Sequence, residues 1–241
     1  MIIDTHCHID LYPNPNSVIA ELEKNGIIAI GMTNLPSHFI QGYPHVRNLK
    51  RIRLALGLHP LMAKNHLKEL PLFIKHLDAT SYIGEVGLDF SKQGIGTKDI
   101  QIKSFERILE AVSNKQKILS IHSRGAEKEV LQLLQEYKIE NAIFHWYTGG
   151  LKLIDEIVNL GYHFSVNTAM IKSASGQKII SRIPKESILT ESDGPFIKQN
   201  NRIVESSDIS IVIDYLNRVF KSNQIENQIV KNYMKLVQKI R

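Results

Sequence analysis

Residues 1–10 read MIIDTHCHID, and this stretch decides how the rest of the chain is interpreted. Ile2 and Ile3 begin a predicted β-strand, and His6 and His8 lie near its far end. Residues at positions i and i+2 of a strand point to the same face, so both imidazoles project together, as metal ligands or catalytic bases do. Two histidines at this spacing also occur on solvated strands. The stretch alone therefore leaves both interpretations open.

Further apolar runs rich in β-forming residues follow the first and alternate with amphipathic helical patterns. The eight predicted strands are 1–6, 27–32, 52–57, 82–87, 117–122, 141–146, 162–167 and 187–192. The helical patterns include 17–26, 97–115, 125–138, 208–220 and 225–240. Alternation of this kind is typical of parallel strands joined by crossover helices. We predict an α/β fold, a closed (β/α)8 TIM barrel with C-terminal helices; an open doubly wound sheet is the alternative.

Length and composition are those of a globular protein. The chain has 241 residues, 43% of them hydrophobic and 22% charged, which suits a single domain over 1–241. Its one cysteine, Cys7, excludes an internal disulfide and favours a reducing compartment, so we expect a cytoplasmic protein. A strand that begins at Ile2 predicts no signal peptide, and no apolar run predicts a membrane span. The net charge of +6 is mild and favours polyanionic ligands without deciding the matter.

Ligand-type side chains recur at or just beyond the carboxyl ends of the predicted strands. They are His6, His8, His59, Glu85, His122, His145, Asn167 and Asp193. Buried parallel strands should be almost uniformly apolar, so this repetition needs a reason. In a (β/α)8 barrel the carboxyl ends of all strands meet at one mouth, where the active site lies. We therefore expect these residues to form one site.

Imidazoles and carboxylates together suit divalent ions such as Zn²⁺, Mn²⁺ or Ni²⁺. Two ions about 3.5–4 Å apart, bridged by a carboxylate, form a clamp for phosphate-ester hydrolysis. One possible partition is His6, His8 and Asp193 on the first ion, His122 and His145 on the second, and Glu85 as the bridge. Spacing alone does not fix this partition.

The motifs that carry these residues lie in a fixed order between Asp4 and Phe196. They are DTHCHID, GLHP, GEVGLDF, IHSRGA, FHWYTGG and ESDGPF. In this order they resemble the TatD family of metal-dependent deoxyribonucleases, within the amidohydrolase-like (β/α)8 superfamily. The resemblance implies hydrolysis of DNA phosphodiester bonds with Mg²⁺ or another divalent metal, often from the end of a single strand.

The resemblance also implies roles for individual residues. The implied ligand sets are His6, His8, Glu85 and Asp193 for one ion and Glu85, His122 and His145 for the other. Asp193 is expected to take the proton of the attacking water, as a carboxylate within hydrogen-bond reach can. His59 matches the position that contacts the substrate phosphate.

Three departures from the family pattern concern the substrate loops. The segment between the first histidines and the second strand is short, and FIKQNNRIVESSD replaces a longer loop that follows the aspartate motif. Arg202 is then the one candidate for the phosphate-binding arginine of that loop. Tyr147, Thr148 and Gly149 replace the usual Phe-Ser-Gly. The trimmed form also resembles members encoded in bacterial anti-phage gene clusters, which makes proteins of the same operon candidate partners.

Other residues near the motifs have two interpretations each. Arg124 could pair with a phosphate or lie on a helix surface. Trp146 and Tyr147 could stack on a base, as in single-strand binders, or pack their loop. Asn34 could line the pocket, but we expect it to cap the following helix. The histidines away from strand ends, His163 among them, are expected to be surface or packing residues.

Two alternatives to a nuclease stay open. An amidohydrolase-like enzyme could use the same barrel and metals on a small molecule, although many such bimetallic enzymes place a carbamylated lysine where this chain has Glu85. A subunit that depends on a partner for catalysis is the other. It would bind metal but cleave little DNA alone.

Overall fold

The computed structural model describes residues 1–199 and 201–240. The parallel strands are β1 (Ile3–Cys7), β2 (Ile28–Gly31), β3 (Ile52–Leu54), β4 (Tyr82–Gly87), β5 (Ile118–His122), β6 (Ala142–His145), β7 (His163–Val166) and β8 (Ile188–Thr190). Each of these strands extends at most one residue beyond its predicted range. A short antiparallel pair, β9 (Lys198–Gln199) and β10 (Arg202–Ile203), follows β8.

The strands lie in the barrel in the same order as in the sequence. Strands β1 to β3 pair in one group and β4 to β8 in another. Beyond β3, Leu56 pairs in parallel with Ile83 of β4, which joins the groups. At the other seam the Asp193 amide, just after β8, donates to the His6 carbonyl of β1 at 2.9 Å. An open doubly wound sheet reverses its strand order at a switch point. The sequential order and the contact between the first and last strands confirm the TIM barrel.

Helices connect the strands and cover the outside of the barrel. They are α1 (Pro15–Asn25), α2 (Pro36–Val46), α3 (His66–His76), α4 (Lys98–Val112), α5 (Glu127–Glu136), α6 (Leu151–Asn159), α7 (Thr168–Lys172), α8 (Ala174–Arg182), α9 (Ile209–Val219) and α10 (Ile225–Gln238). In α4 the buried apolar residues are Phe105, Ile108, Leu109 and Val112, at the spacing of one helical face. Full burial of such side chains stabilises the fold by roughly 1.5–3 kcal/mol each.

The ends of α1 show how local sequence sets an element. The Asn14 side chain accepts a hydrogen bond from the Ser17 amide at 3.1 Å, and Pro15 occupies the first helical position, where its missing N–H costs nothing. Gly26 ends the helix with φ of 67°, a left-handed conformation that glycine adopts without strain. The helix thus ends where the sequence predicts.

Helix α10 lies against the amino-terminal end of β8. The buried Asn232 amide group donates to the carbonyls of Lys185 and Ile188, both at 2.8 Å. Over residues 1–199 and 201–240, none of the helices has both the length and the hydropathy needed to span a bilayer. That residues 1–241 form one domain stays a prediction.

Candidate metal centre

The predicted site residues meet at the carboxyl ends of the strands. Those within strands are His6 on β1, Glu85 on β4, His122 on β5 and His145 on β6; His8, His59 and Asp193 lie on the adjoining segments. Most are almost wholly buried, with His59 and His122 slightly more open to solvent. The barrel geometry thus brings together residues that are up to 187 positions apart, from His6 to Asp193.

Glu85 lies at the centre of this cluster, and its two carboxylate oxygens face different histidines. Oε2 is 3.5 Å from His6 Nε2 and 3.3 Å from His8 Nε2. Oε1 is 2.6 Å from His122 Nδ1 and 2.9 Å from His145 Nε2. The carboxylate therefore separates the histidines into one pair at the carboxyl end of β1, His6 and His8, and a second pair on β5 and β6.

Asp193 completes the side of the cluster nearest β1. Its Oδ1 lies 3.7 Å from His6 Nε2 and 3.8 Å from His8 Nε2. The backbone of Asp193 has a φ of 47°, in the left-handed region. Backbone hydrogen bonds from Asp193 to His6 and from His8 to the Gly194 carbonyl bind the turn to the end of β1. The same bonds that close the barrel thus place Asp193 beside the two histidines.

The distances between the ring nitrogens and carboxylate oxygens of the cluster are those expected for ligands around a metal ion. His6 Nε2 and His8 Nε2 are 3.2 Å apart, and the rings of His6 and His145 are stacked at 3.9 Å. Ligand atoms about 2.0–2.1 Å from a tetrahedral Zn²⁺ lie about 3.3 Å from each other, which matches this separation. Two groups of three residues, His6–His8–Asp193 and His6–Glu85–His145, each offer ligand atoms within 4.8 Å of one another. The residues present therefore fit divalent cations.

Burial and the charges of neighbouring residues shift the pKa values of the cluster, and the direction differs from one residue to the next. Burial lowers the pKa of His6 well below its usual value, and the charge of His145 adds to this. Burial also raises the pKa of Asp193 well above its usual range, although His145 opposes the shift. Burial alone would raise the pKa of Glu85, but the surrounding imidazoles, His59 and His145 first, hold it well below the usual value. Opposed shifts of this kind are typical of functional clusters.

His59 differs from the other histidines in its hydrogen bonding. Its Nδ1 accepts a hydrogen bond from the Leu61 amide at 3.1 Å, so in a neutral ring the proton is on Nε2. That Nε2 is 3.2 Å from Glu85 Oε1, and His59 is one of the residues that line the cavity beside the cluster. A third group of possible metal ligands, His59–Glu85–His122, shares these atoms. In this tautomer His59 Nε2 carries the proton and is a hydrogen-bond donor.

Buried polar residues that we did not predict from the sequence support the cluster from behind. His122 Nε2 donates to Asp89 Oδ2 at 2.8 Å, and His6 Nδ1 lies 2.8 Å from Ser120 Oγ. Asp4 accepts hydrogen bonds from the hydroxyls of Ser192 and Ser206, both at 2.6 Å. Asp89 and Ser192 lie within the motifs GEVGLDF and ESDGPF, and Asp4 precedes His6 by two positions. These residues could therefore have been identified from the sequence by their positions within or beside the motifs.

A cavity of about 600 Å³ opens above the cluster. Of the predicted residues, it is lined by His59, Glu85, His122, Arg124, His145, Trp146 and Asp193. Phe196, which the sequence did not predict as a site residue, also lines the cavity and is 56% exposed. Its ring lies edge-on to His8, with the centroids 4.8 Å apart. The cavity thus has a polar floor and aromatic side chains on its wall.

Two predicted substrate contacts are corrected by the structure. Tyr147 is buried, its hydroxyl donates to the Gly150 carbonyl at 2.9 Å, and its ring packs edge-on against Phe164. It packs the loop and is not available to a substrate. Arg202 on β10 forms a two-pronged ion pair with Asp208, and it is not among the residues that line the cavity. The structure thus places this guanidinium in an ion pair away from the cavity.

Two further expectations concern asparagines at strand ends. Asn34 does not cap α2, since the residue at the cap position is Leu35 and its side chain makes no capping bond. Instead Asn34 lines the cavity, with its side-chain oxygen buried and unpartnered among the described residues. Asn167 does not face the cluster: its side-chain oxygen caps α7 and its amide donates to Glu191. The capping role therefore belongs to Asn167.

An eight-stranded barrel with a buried group of histidines and carboxylates at its mouth defines the class of metal-dependent barrel hydrolases. The chain belongs, more particularly, to the TatD related DNase family, whose model matches residues 3–238.

Individual relatives agree with this assignment. The chain is 27% identical over 263 residues to Deoxyribonuclease TATDN3 of Homo sapiens, covering 100% of this chain and 96% of that protein. It is 26% identical over 241 residues to the uncharacterized metal-dependent hydrolase YjjV of Escherichia coli (strain K12), covering 90% of each. The crystal structure of the TatD homolog YJJV from Escherichia coli K12 superposes with a TM-score of 0.87 at 22% identity, covering 98% of this chain and 97% of that one.

Proposed function

We propose that the chain hydrolyses DNA phosphodiester bonds with two divalent metal ions. The observation that carries this proposal is the division of the Glu85 carboxylate between two histidine pairs. A carboxylate that presents one oxygen to each of two ligand groups is suited to bridge two ions. The candidate ions are Mg²⁺, Mn²⁺ and Zn²⁺.

Each ion would have its own ligands besides the bridge. The first would bind His6, His8 and Asp193, and the second would bind His122 and His145. When bound, the ions neutralise negative charge on the phosphate and lower the pKa of the attacking water.

The chain's own residues would orient the substrate and move the proton. Asp193, at the edge of the cluster, accepts one proton of the water as the water oxygen bonds to phosphorus. The bond between phosphorus and the sugar oxygen breaks, and the released sugar oxygen takes up a proton from solvent. His59 donates its Nε2–H to a phosphate oxygen, in keeping with the proton position set by the Leu61 amide. Arg124 on the cavity wall pairs with a phosphate.

The wall of the cavity favours an unpaired strand end. Trp146 and Phe196 lie on the same cavity, and an exposed aromatic ring there can stack on a base that is not already paired. A duplex keeps its bases stacked inside the helix, out of reach of these rings. We therefore infer that single-stranded DNA is the substrate and that cleavage proceeds from an end.

The test is degradation of end-labelled single-stranded DNA by purified protein, after chelation and then addition of Mg²⁺, Mn²⁺ or Zn²⁺ in turn. Glu85→Ala should abolish cleavage, whereas His45→Ala, a change of an exposed histidine outside the cluster, should leave it intact. Asp193→Ala should also abolish cleavage, and full activity of this variant would contradict the proposed proton transfer. The product ladder shows the direction of cleavage, and matched duplex and RNA substrates show the preference.

Metal binding without cleavage of any DNA would contradict the nuclease proposal. It would favour a small-molecule substrate or, if proteins of the same operon restored cleavage, a partner-dependent enzyme. A role in defence against phage and a cytoplasmic location stay predictions.

A further inference from the structure

Glu191 is a buried carboxylate with no role in the hydrolysis described above. It follows β8, two residues before Asp193, and is completely buried. Its Oε1 accepts hydrogen bonds from the Trp146 amide at 3.1 Å and from Asn167 Nδ2 at 2.8 Å. Its Oε2 accepts from the Ser165 hydroxyl. Three donors, one on β7 and two just after β6 and β7, thus hold this carboxylate in place.

The same carboxylate faces the far side of a proposed metal ligand. His145 Nδ1 is buried, makes no hydrogen bond within 3.5 Å among the described residues, and lies 3.7 Å from Glu191 Oε1. The other ring nitrogen, Nε2, is 2.9 Å from Glu85 Oε1 in the cluster. One imidazole therefore has a carboxylate at each nitrogen. A carboxylate behind a ligating imidazole fixes its tautomer and makes the other nitrogen a stronger ligand.

We propose that Glu191 is a positioning residue that keeps the proton of His145 on Nδ1, leaves Nε2 free for the metal, and fixes Trp146 on the cavity wall through its amide. Trp146 has φ of 36°, a conformation that bulky residues adopt only when their surroundings hold them there. One buried carboxylate would thus set both a metal ligand and a substrate-facing ring. This inference rests on the proposed metal site.

The variant Glu191→Gln separates charge from shape. Its carbonyl oxygen can still accept from the Trp146 amide and Asn167, and its amino group can donate to Ser165, but the negative charge beside His145 is gone. We expect Mn²⁺ binding to weaken about 10- to 100-fold, as measured by calorimetry on the metal-free protein. Trp146 is the one tryptophan of the chain, so fluorescence reports on it alone. Its emission in the metal-free variant should match that of the wild type.

The matched control is Ser165→Ala, which removes one donor to Glu191 but keeps its charge. Mn²⁺ affinity of this control should stay within about twofold of the wild type. Equal affinity of folded Glu191→Gln and wild type would overturn the inference, as would an equal loss in both variants. Failure of the wild type itself to bind Mn²⁺, Zn²⁺ or Mg²⁺ would instead overturn the proposed function, and the inference with it.

The hydrogen bond from the Trp146 amide to Glu191 is tested separately. Glu191→Ala should shift the Trp146 emission of the metal-free protein, and an unchanged emission in a variant folded by circular dichroism would refute this part. If the alanine variant does not fold, amide exchange decides: the Trp146 amide of the wild type should exchange slowly, and rapid exchange would refute the hydrogen bond to Glu191.

Discussion

His163 should make the stability of this protein depend on pH. It is the first residue of β7, at the end of the strand away from the metal centre, and only 8% of it is exposed. Burial lowers its pKa from 6.5 to about 4, and the charges of Lys235 on α10 and of Lys239, just after that helix, add to the shift. Its Nδ1 has no hydrogen-bond partner among the described residues. The folded state therefore favours the neutral ring.

The sign and size of the effect follow from this shift. Because the folded pKa lies below the unfolded one, the unfolded chain binds more protons between pH 4 and 6.5, and stability falls as the pH falls through that window. The full shift corresponds to about 3 kcal/mol, since each pKa unit is worth about 1.4 kcal/mol. By pH 5, about 2 kcal/mol of this is lost relative to pH 7.5.

The assay is urea unfolding at pH 7.5 and pH 5 of the wild type, His163→Gln and, as a matched control, His45→Gln. The wild type should lose about 2 kcal/mol more than His163→Gln between the two pH values, because other titrating groups are common to both proteins. The His45 control should behave like the wild type, since that histidine is exposed. Parallel losses in wild type and His163→Gln would refute the reasoning. Metal content should be the same in all three proteins.

Three further predictions concern residues around the site. Asp4→Ala should lower the free energy of unfolding by about 3 kcal/mol or more, because it leaves several buried donors unpaired; a loss under about 1 kcal/mol in urea unfolding would count against this network. Phe196→Ala should raise KM for single-stranded DNA about tenfold with kcat nearly unchanged, as expected for a stacking contact, and an unchanged KM in steady-state kinetics would exclude the contact. Arg202→Ala should leave cleavage rates within about twofold, because its guanidinium is paired with Asp208; a large fall in rate would show that the pair opens to bind substrate.

The strands and the central cluster could be predicted because they depend on a regular spacing. Apolar runs alternate with helical periodicity along the chain, and the barrel places the carboxyl ends of all strands at one mouth. His6, Glu85 and Asp193 could therefore be grouped without coordinates. The division of the Glu85 oxygens between two histidine pairs depends on side-chain torsions, which the sequence does not reveal.

The loops could not be predicted in the same way, because their side chains choose among competing local partners. Tyr147 follows His145 by two positions yet points into the core, and Arg202 finds Asp208 before any phosphate. Glu191 and Asp89 were missed because a buried carboxylate between motif residues is identifiable only when its hydrogen-bond donors, from other strands, are known.

The seam between β8 and β1 has a consequence for how the protein is made. The bond from the Asp193 amide to the His6 carbonyl joins the end of β1 to a residue 187 positions later in the chain. His6 and His8 are synthesised before the other proposed ligands but remain without Asp193 until all eight barrel strands have been made. Such a long-range closure is a slow step in folding, since a large loop must be ordered before the contact forms. A divalent cation bound by His6, His8 and Asp193 would stabilise the closed barrel by mass action.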